Sequence, residues 1–319
     1  MKYIQVVVLS SIFTLSVAGS AIGQAYPNKP IKVTSVEPGG ALDTVLRIIT
    51  QGISGPLGQQ LVVENRPSVT RPEDRLAKAE PNGYSLLYYA NTFWLAPFLR
   101  ANLPYDPLKD FAPICLTVKG PNVVVVTAGL PVNSVAELIA LAKAKPGQLN
   151  SAVTGVGTSP HMAAVLFQSV TGAPMTNVTY KGSAQAFIDV AGGRVEVMFP
   201  TILSSLTYVK SGKMRALAVT SMQRSSLSPD LPTVASLGFP GYESVAIHGL
   251  FAPAKTPRAI VTRLNQEVVK FLAQEDVKDK ITRMGFDIVA SSPEQLTTTM
   301  RSEMRNMGKV LREAGIKPE

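Results

Sequence analysis

One stretch constrains the chain more than any other: Ile31-Lys32-Val33-Thr34, then Ser35-Val36-Glu37-Pro38-Gly39-Gly40-Ala41-Leu42-Asp43. The β-branched run reads as a strand. Leu42, Val45, Leu46 and Ile49 follow at helical spacing, so the order is strand, Pro-Gly-Gly turn, helix. Glycines 39 and 40 leave backbone N–H groups uncovered at the start of a helix, whose N-terminus carries partial positive charge. That is a seat for a carboxylate or phosphate. A tight strand-to-helix turn that needs glycine for positive φ accounts for the same residues.

The alternation continues. Residues 61–63 and 84–89 read as strands, the second ending at Asn91-Thr92, so Thr92 sits at a strand's carboxyl end, where open α/β sheets place ligand crevices. Val123 to Val126 is an unbroken β-branched run, as in a strand covered on both faces. Ser134 with Glu137, and Ser292 with Gln295, form capping boxes that open helices. Residues 151–154 read as a strand, Gly155 to Gly157 as a turn, and Ser159 as the cap of a helix with Pro160 at its first position. This is a second strand, glycine turn, helix unit. Residues 183–190 read as helix, 194–199 and 215–220 as strands, and 222–247 as loop. Helices are expected from Thr256-Pro257 and from Ser292, and Gly55-Pro56 is expected to end or kink the first helix. Strands alternating with helices imply an α/β fold with mostly parallel sheets.

Chemistry is limited by what is present. The two histidines, His161 and His248, have no second strong metal ligand nearby in sequence, so no metal site is expected. Ser159 and His161 are two apart at a helix start and do not face each other as nucleophile and base would. Gly155-Val-Gly157 does not complete a dinucleotide fingerprint, and Lys181-Gly182 is not a phosphate loop. No cofactor and no catalytic residue are expected. Anion recognition remains. Thr154, Thr158 and Ser159 offer hydroxyls, and Gly39, Gly40, Gly155 and Gly157 offer open backbone, so each turn suits one carboxylate of a small dicarboxylate. Asp43 would repel a carboxylate; its task is to bond first-turn N–H groups or to pair with Arg47 at i, i+4. His161 is either packed beneath the cleft floor or facing the ligand.

The net charge of +9 comes from scattered Lys and Arg with no basic run, which argues against nucleic acid and for mild steering of anions. At 17% charged and 45% hydrophobic the chain is globular, and its 319 residues suffice for two domains. Cys115 is the single cysteine, so no intrachain disulfide exists, and its apolar neighbours make it a core thiol. Residues 1–25 read as a secretory signal: Lys2, an apolar run over 4–17 too short to span a bilayer, then Gly23-Gln24-Ala25. No cysteine there provides a lipid anchor, so an exported, soluble mature chain is expected.

Further motifs stand in order: Tyr26-Pro-Asn-Lys-Pro30, Pro38-Gly-Gly-x-x-Asp43-x-x-x-Arg47, Val62-Val-Glu-Asn-Arg-Pro67, Pro81-Asn-Gly-Tyr84, Leu103-Pro-Tyr-Asp-Pro107 and Pro146-Gly147. Gly155-x-Gly-x-x-x-His161, Tyr180-Lys-Gly182, Gly212-Lys-x-Arg-Ala-Leu-Ala-Val-Thr220 and Leu231-Pro-Thr233 follow. In order and spacing this resembles the periplasmic substrate-binding receptors of tripartite tricarboxylate transporters, the Bug family, over the whole mature chain. The resemblance implies a two-domain periplasmic-binding-protein fold of type II with the ligand cleft between the domains. It places domain one at 26–125 plus 247–319 and domain two at 126–246. It implies an extracytoplasmic receptor in the periplasm, not an enzyme, that holds an organic acid through Pro38, Gly39, Gly40, Asp43, Thr92, Thr154, Gly155, Gly157, Thr158, Ser159 and His161. It would deliver that acid to membrane transporter subunits and act as a monomer. A sensor subunit for a signalling partner, or a carboxylate-processing enzyme, are the other readings. Two departures stand out. Residues 68–75 carry Arg71, Pro72, Glu73, Asp74 and Arg75 where the family has glycines, and read as a charged surface loop or a cleft wall. Ile247 stands in place of a frequent tryptophan, beside His248.

Overall fold

The computed structural model describes residues 26–35, 38, 41–66, 71–154, 158–180, 182–313, 315 and 318. The signal segment, most of the first glycine turn and Gly155 to Gly157 of the second lie outside the described residues. The first sheet takes strands β1 (Ile31–Ser35), β2 (Leu61–Asn65), β3 (Ser85–Ala90) and β4 (Phe111–Pro121) from the first part of the chain. The second takes β5 (Val123–Thr127), β6 (Asn150–Val153), β7 (Thr176–Thr179), β8 (Val197–Met198) and β9 (Met214–Val219). The chain then returns to the first sheet with β10 (Val245–Pro253) and β11 (Asp287–Ile288). The strand orders are β11-β4-β10-β3-β1-β2 and β7-β6-β8-β5-β9.

Both sheets are mixed, which corrects the expectation of mostly parallel ones. β1 runs parallel to β2 and β3, and β6 parallel to β7 and β8. β10 is antiparallel to β3 and β4, and β5 is antiparallel to β8 and β9. The reason is topological. β10 arrives from the second sheet at the carboxyl end of β3, so it can only run backwards between β3 and β4. All nine residues of β10 are buried, as both faces of this central strand are covered.

One face carries α1 (Ala41–Leu57), α8 (Arg258–Leu272) and α9 (Glu275–Arg283), packed on Ile31, Val33, Leu86, Tyr88 and Ile114. The other carries α2 (Pro72–Ala77), α3 (Thr92–Leu95) and α10 (Pro293–Glu313). There Leu87, Trp94, Phe251 and Met300 form a core continuous with Val124, Val126 and Phe167 of the second half. The second sheet is covered by α4 (Val135–Ala144), α5 (Ser159–Thr171), α6 (Ser183–Ala191) and α7 (Ile202–Lys210). Each helix-on-sheet layer buries an apolar stripe that an isolated helix would expose.

The capping boxes are present. Ser292 Oγ accepts from Gln295 N at 3.2 Å while Gln295 Oε1 accepts from Ser292 N at 2.8 Å. Ser134 Oγ accepts from Glu137 N at 3.2 Å, but Glu137 reaches one residue further, to Asn133 N at 2.7 Å. α1 ends at Leu57, one residue past Pro56, as expected of a proline there. Other expectations are corrected. The strand expected over 194–199 shrinks to β8, and the loop expected over 222–247 ends where β10 begins. Part of the charged segment 68–75 is helical: Pro72 opens α2, which the left-handed Arg71 (φ 47°) turns into. Gly120, just before the first passage between sheets, has no room for a side chain, since a Cβ there would lie 2.7 Å from the Phe286 ring.

His248 on β10 is buried between Tyr88 and Phe286, with ring centroids 5.9 and 5.1 Å away. Its Nδ1 has no hydrogen-bond partner, and burial holds its pKa down at about 4. The unfolded chain therefore takes up this proton first, and stability is lost as pH falls from the ordinary histidine value toward 4. Urea unfolding from about pH 7.5 to about pH 5 should show a loss roughly 2 kcal/mol smaller in His248→Phe than in the native chain.

Candidate functional site

Both sheets end their parallel strands toward the place where the chain passes between them. In the first half, β1 ends at Ser35 and Pro38 stands exposed in the turn before α1. Asp43, in the first turn of α1, is buried. Its Oδ2 accepts from Arg47 Nε at 2.9 Å, and its Oδ1 accepts from Asn65 Nδ2 at 2.8 Å. Arg47 Nη2 closes the set by donating to Asn65 Oδ1 at 2.7 Å. Of the two tasks considered for Asp43, the pairing with Arg47 is therefore present, and it ties the start of α1 to the end of β2. Thr92 is half-buried at the first position of α3, directly beyond β3. Asn91 before it is buried: its N donates to Ile247 O at 2.9 Å and its Nδ2 to Val245 O at 3.1 Å, locking the end of β3 to the start of β10.

In the second half, β6 ends at Val153 and Thr154 is half-buried in the bend that follows. Thr158, with extended backbone (φ −67°, ψ 158°), is the N-cap of α5, and Ser159 is the first helical residue. The cap thus lies one residue earlier than expected. The physical reason is that the Ser159 hydroxyl is used elsewhere, donating to Asn122 Oδ1 at 2.5 Å. His161 is buried one turn into α5, and burial lowers its pKa, so it is neutral at neutral pH. The structure thus gathers Pro38, Asp43 and Thr92 at carboxyl ends in the first sheet, and Thr154, Thr158, Ser159 and His161 at one in the second. Gly39, Gly40, Gly155 and Gly157 lie outside the described residues.

Sequence reasoning missed the residue that ties Ser159 to the passage between the sheets. Asn122 is fully buried and is the single residue between β4 and β5. Its Nδ2 donates to Phe199 O at 2.6 Å, its Oδ1 receives Ser159, and its carbonyl accepts from Thr220 N at 2.9 Å. The Thr220 hydroxyl lies 2.9 Å from Asn122 O and 2.6 Å from Ser244 O. The two passages between sheets are therefore hydrogen-bonded to each other. The available signal was a lone amide inside the apolar run 121–126, since a buried amide must find partners.

Among the described residues no group of three or more His, Cys, Asp or Glu side chains is placed to hold a metal ion. Among them no helix is long and apolar enough to cross a membrane.

The family described as "Tripartite tricarboxylate transporter family receptor" matches residues 45–316. Protein BugT of Bordetella pertussis is 32% identical over 311 residues, covering 96% of this chain and 95% of BugT. A solved R. palustris protein with adipate superposes with a TM-score of 0.81 at 32% identity, over 92% of this chain and 100% of that one. MatC from Rhodopseudomonas palustris, solved with bound malate, gives 0.77 at 28% identity, over 90% of this chain and 100% of MatC.

Asn122→Leu fills the same space but leaves Phe199 O without its donor and the Ser159 hydroxyl without its acceptor. Thermal and urea unfolding should show a loss of about 2–3 kcal/mol.

Proposed function

This chain belongs to the tripartite tricarboxylate transporter receptor family, and from that membership we propose that it captures a small dicarboxylate outside the cytoplasm and delivers it to the membrane subunits of such a transporter. One observation carries the choice of ligand. Two strand-to-helix turns, one per sheet, end at helix N-termini, and the acidic residue nearest one of them is already neutralised. Asp43 is held by Arg47 and Asn65, so its charge is spent inside the fold rather than set against an anion. Two carboxylates some carbons apart are the complement of two such termini. Relatives of similar fold, solved with adipate and with malate, support the class.

The two sheets correspond to two domains whose boundaries fall at Asn122 and Ser244, a few residues before the expected 125/126 and 246/247 because β5 begins at Val123 and β10 at Val245, and the domains close on the ligand by rotation at the paired passages. Residues 1–25 direct export to the periplasm, where the chain acts as a monomer. Pro38, Gly39, Gly40, Thr92, Thr154, Gly155, Gly157, Thr158 and Ser159 line the cleft, with Asp43 and His161 supporting the two helix starts from beneath. The ligand leaves unchanged, a reading supported by the Ser159 hydroxyl's hydrogen bond to Asn122.

Calorimetry of the mature chain against dicarboxylates of four to six carbons tests the reading. At least one should bind and raise the melting temperature, with no product by mass spectrometry. A chain that none of them stabilises would overturn it. Scattering should show a smaller radius of gyration with saturating ligand.

Ser159→Ala breaks the hydrogen bond that holds the start of α5 on Asn122 and should weaken the best ligand about tenfold, roughly 1.4 kcal/mol. Arg71 is exposed, so Arg71→Ala should leave affinity unchanged in the same titration. A tenfold loss there would instead place residues 68–75 in the cleft wall.

A further inference from the structure

α10 starts on the first sheet and runs until it packs against α5 of the second half. Between it and the returning passage 241–247 lies an open pocket of about 440 Å³. None of the residues assigned above to the ligand cleft lines it. Its apolar part is Leu166 from α5, Val245 and Ile247 from the passage, and Met307 and Val310 from α10. Its polar wall is the side of α10 that carries Thr298, Thr299, Ser302, Glu303 and Asn306, with Glu243 opposite.

Two of the wall's hydroxyls give their protons to the helix backbone. Thr298 Oγ1 donates to Glu294 O at 2.9 Å and Thr299 Oγ1 to Gln295 O at 3.0 Å. Each hydroxyl has spent its one proton on the helix, so it has only lone pairs left to offer. Glu303 adds a half-buried carboxyl. It receives Trp94 Nε1 at 2.8 Å and Asn91 Nδ2 at 3.3 Å, and neither donor carries a charge. Glu243 is 3.6 Å from Lys119, and both are well exposed, so that pair neutralises little. The pocket is therefore lined by two carboxyls and by no Lys, Arg or His, on a chain whose net charge is +9. A carboxylate ligand would face both acids there with no cation in the lining to offset them. An ammonium group brings three donors and a charge opposite to that of Glu303, and an attached apolar body would cover Leu166, Ile247 and Met307.

We propose that this pocket is a second ligand site, for a small primary amine carrying an apolar body, with the ammonium seated on Glu303 and the body on the floor formed by α5 and the returning passage. The site is independent of the cleft and of the acid held there. Glu303 also sets its pH response. Burial raises this carboxyl to about 7, the Trp94 and Asn91 hydrogen bonds pull the other way, and Glu243 adds to the rise. The groups facing it are thus Glu243 from the passage and the uncharged Trp94 and Asn91 from α3 and the end of β3, while α5 contributes only the apolar Leu166. An ammonium needs the ionised form, so amine binding strengthens as pH rises through 7.

The test is calorimetry of the mature chain with cyclohexylmethylamine hydrochloride, using cyclohexylmethanol as the uncharged analogue. One amine per chain should bind saturably, and the alcohol about tenfold or more weakly. Affinity should rise about tenfold between pH 6 and pH 8, following ionisation of one carboxyl. Glu303→Gln should abolish that pH dependence and weaken the amine at least about tenfold. Ser302→Phe, which narrows the pocket from its half-buried wall, should weaken the amine alike while dicarboxylate binding persists. Absence of saturable binding, equal binding of amine and alcohol, or binding that survives both substitutions would overturn the proposal.

Discussion

The hydrogen bonds between the two passages of the chain set what the rest of the molecule can do. Asn122, Thr220 and Ser244, where the passages meet, are buried, so their backbone polar groups must be paired. Asn122 O accepts from Thr220 N, Ser244 N donates to Thr220 O, and the Thr220 hydroxyl spans the carbonyls of Asn122 and Ser244. Sliding one sheet past the other would break these bonds together and strand buried carbonyls, at a cost of about 1–3 kcal/mol each. Rotation about the line through them is the motion that keeps all of them, and it is the one the proposed closure on a ligand uses.

The same economy governs charge. Ionisable groups inside the first half are either paired at once or held uncharged. Asp43 is closed in by Arg47 and Asn65, and His248 is neutral because burial disfavours its cation. Glu73, in α2, is buried with Arg100 3.6 Å away, and burial raises its pKa. The outer surface is left with the excess of Lys and Arg, whose field attracts anions toward the molecule as a whole. Selectivity then rests on where uncovered donors point, which is a matter of helix starts rather than of surface charge.

Much of this was legible in the sequence wherever a local signal and a tertiary need agree. The strand, turn, helix order at β1 and α1 followed from spacing, and both capping boxes opened the helices expected of them. What escaped was set by distant contacts. β4 contains Pro113, Gly120 and Pro121, and β10 contains Gly249 and Pro253, residues that argue against strands when read locally. They are tolerated because the β4–β10 ladder shifts register twice, between His248 and Gly249 and between Leu250 and Phe251. The six residues of α2 were hidden for another reason. Their charges suggest solvent, yet Glu73 and Leu76 are buried against the sheet. At the candidate site the shift of the cap from Ser159 to Thr158 depends on Asn122, 37 residues away in sequence, which no local pattern reports.

The two helix starts at the candidate site are anchored differently, and this gives the halves unequal parts. The start of α1 is clamped to Asn65 at the end of β2, an edge strand of the first sheet and the one furthest from β4. That clamp binds α1 to the far edge of its own sheet, so the start of α1 moves with the first half. The start of α5 is joined through one hydrogen bond, Ser159 to Asn122, to the passage itself. Asn122 in turn holds Phe199 O, beyond β8, in the same half. A force on the start of α5 therefore reaches the paired passages through two short hydrogen bonds, whereas one on the start of α1 must cross the whole first sheet. An anion bridging the two would draw the second half toward the first by rotation at Asn122, because that side chain links the start of α5 to the passage between the sheets.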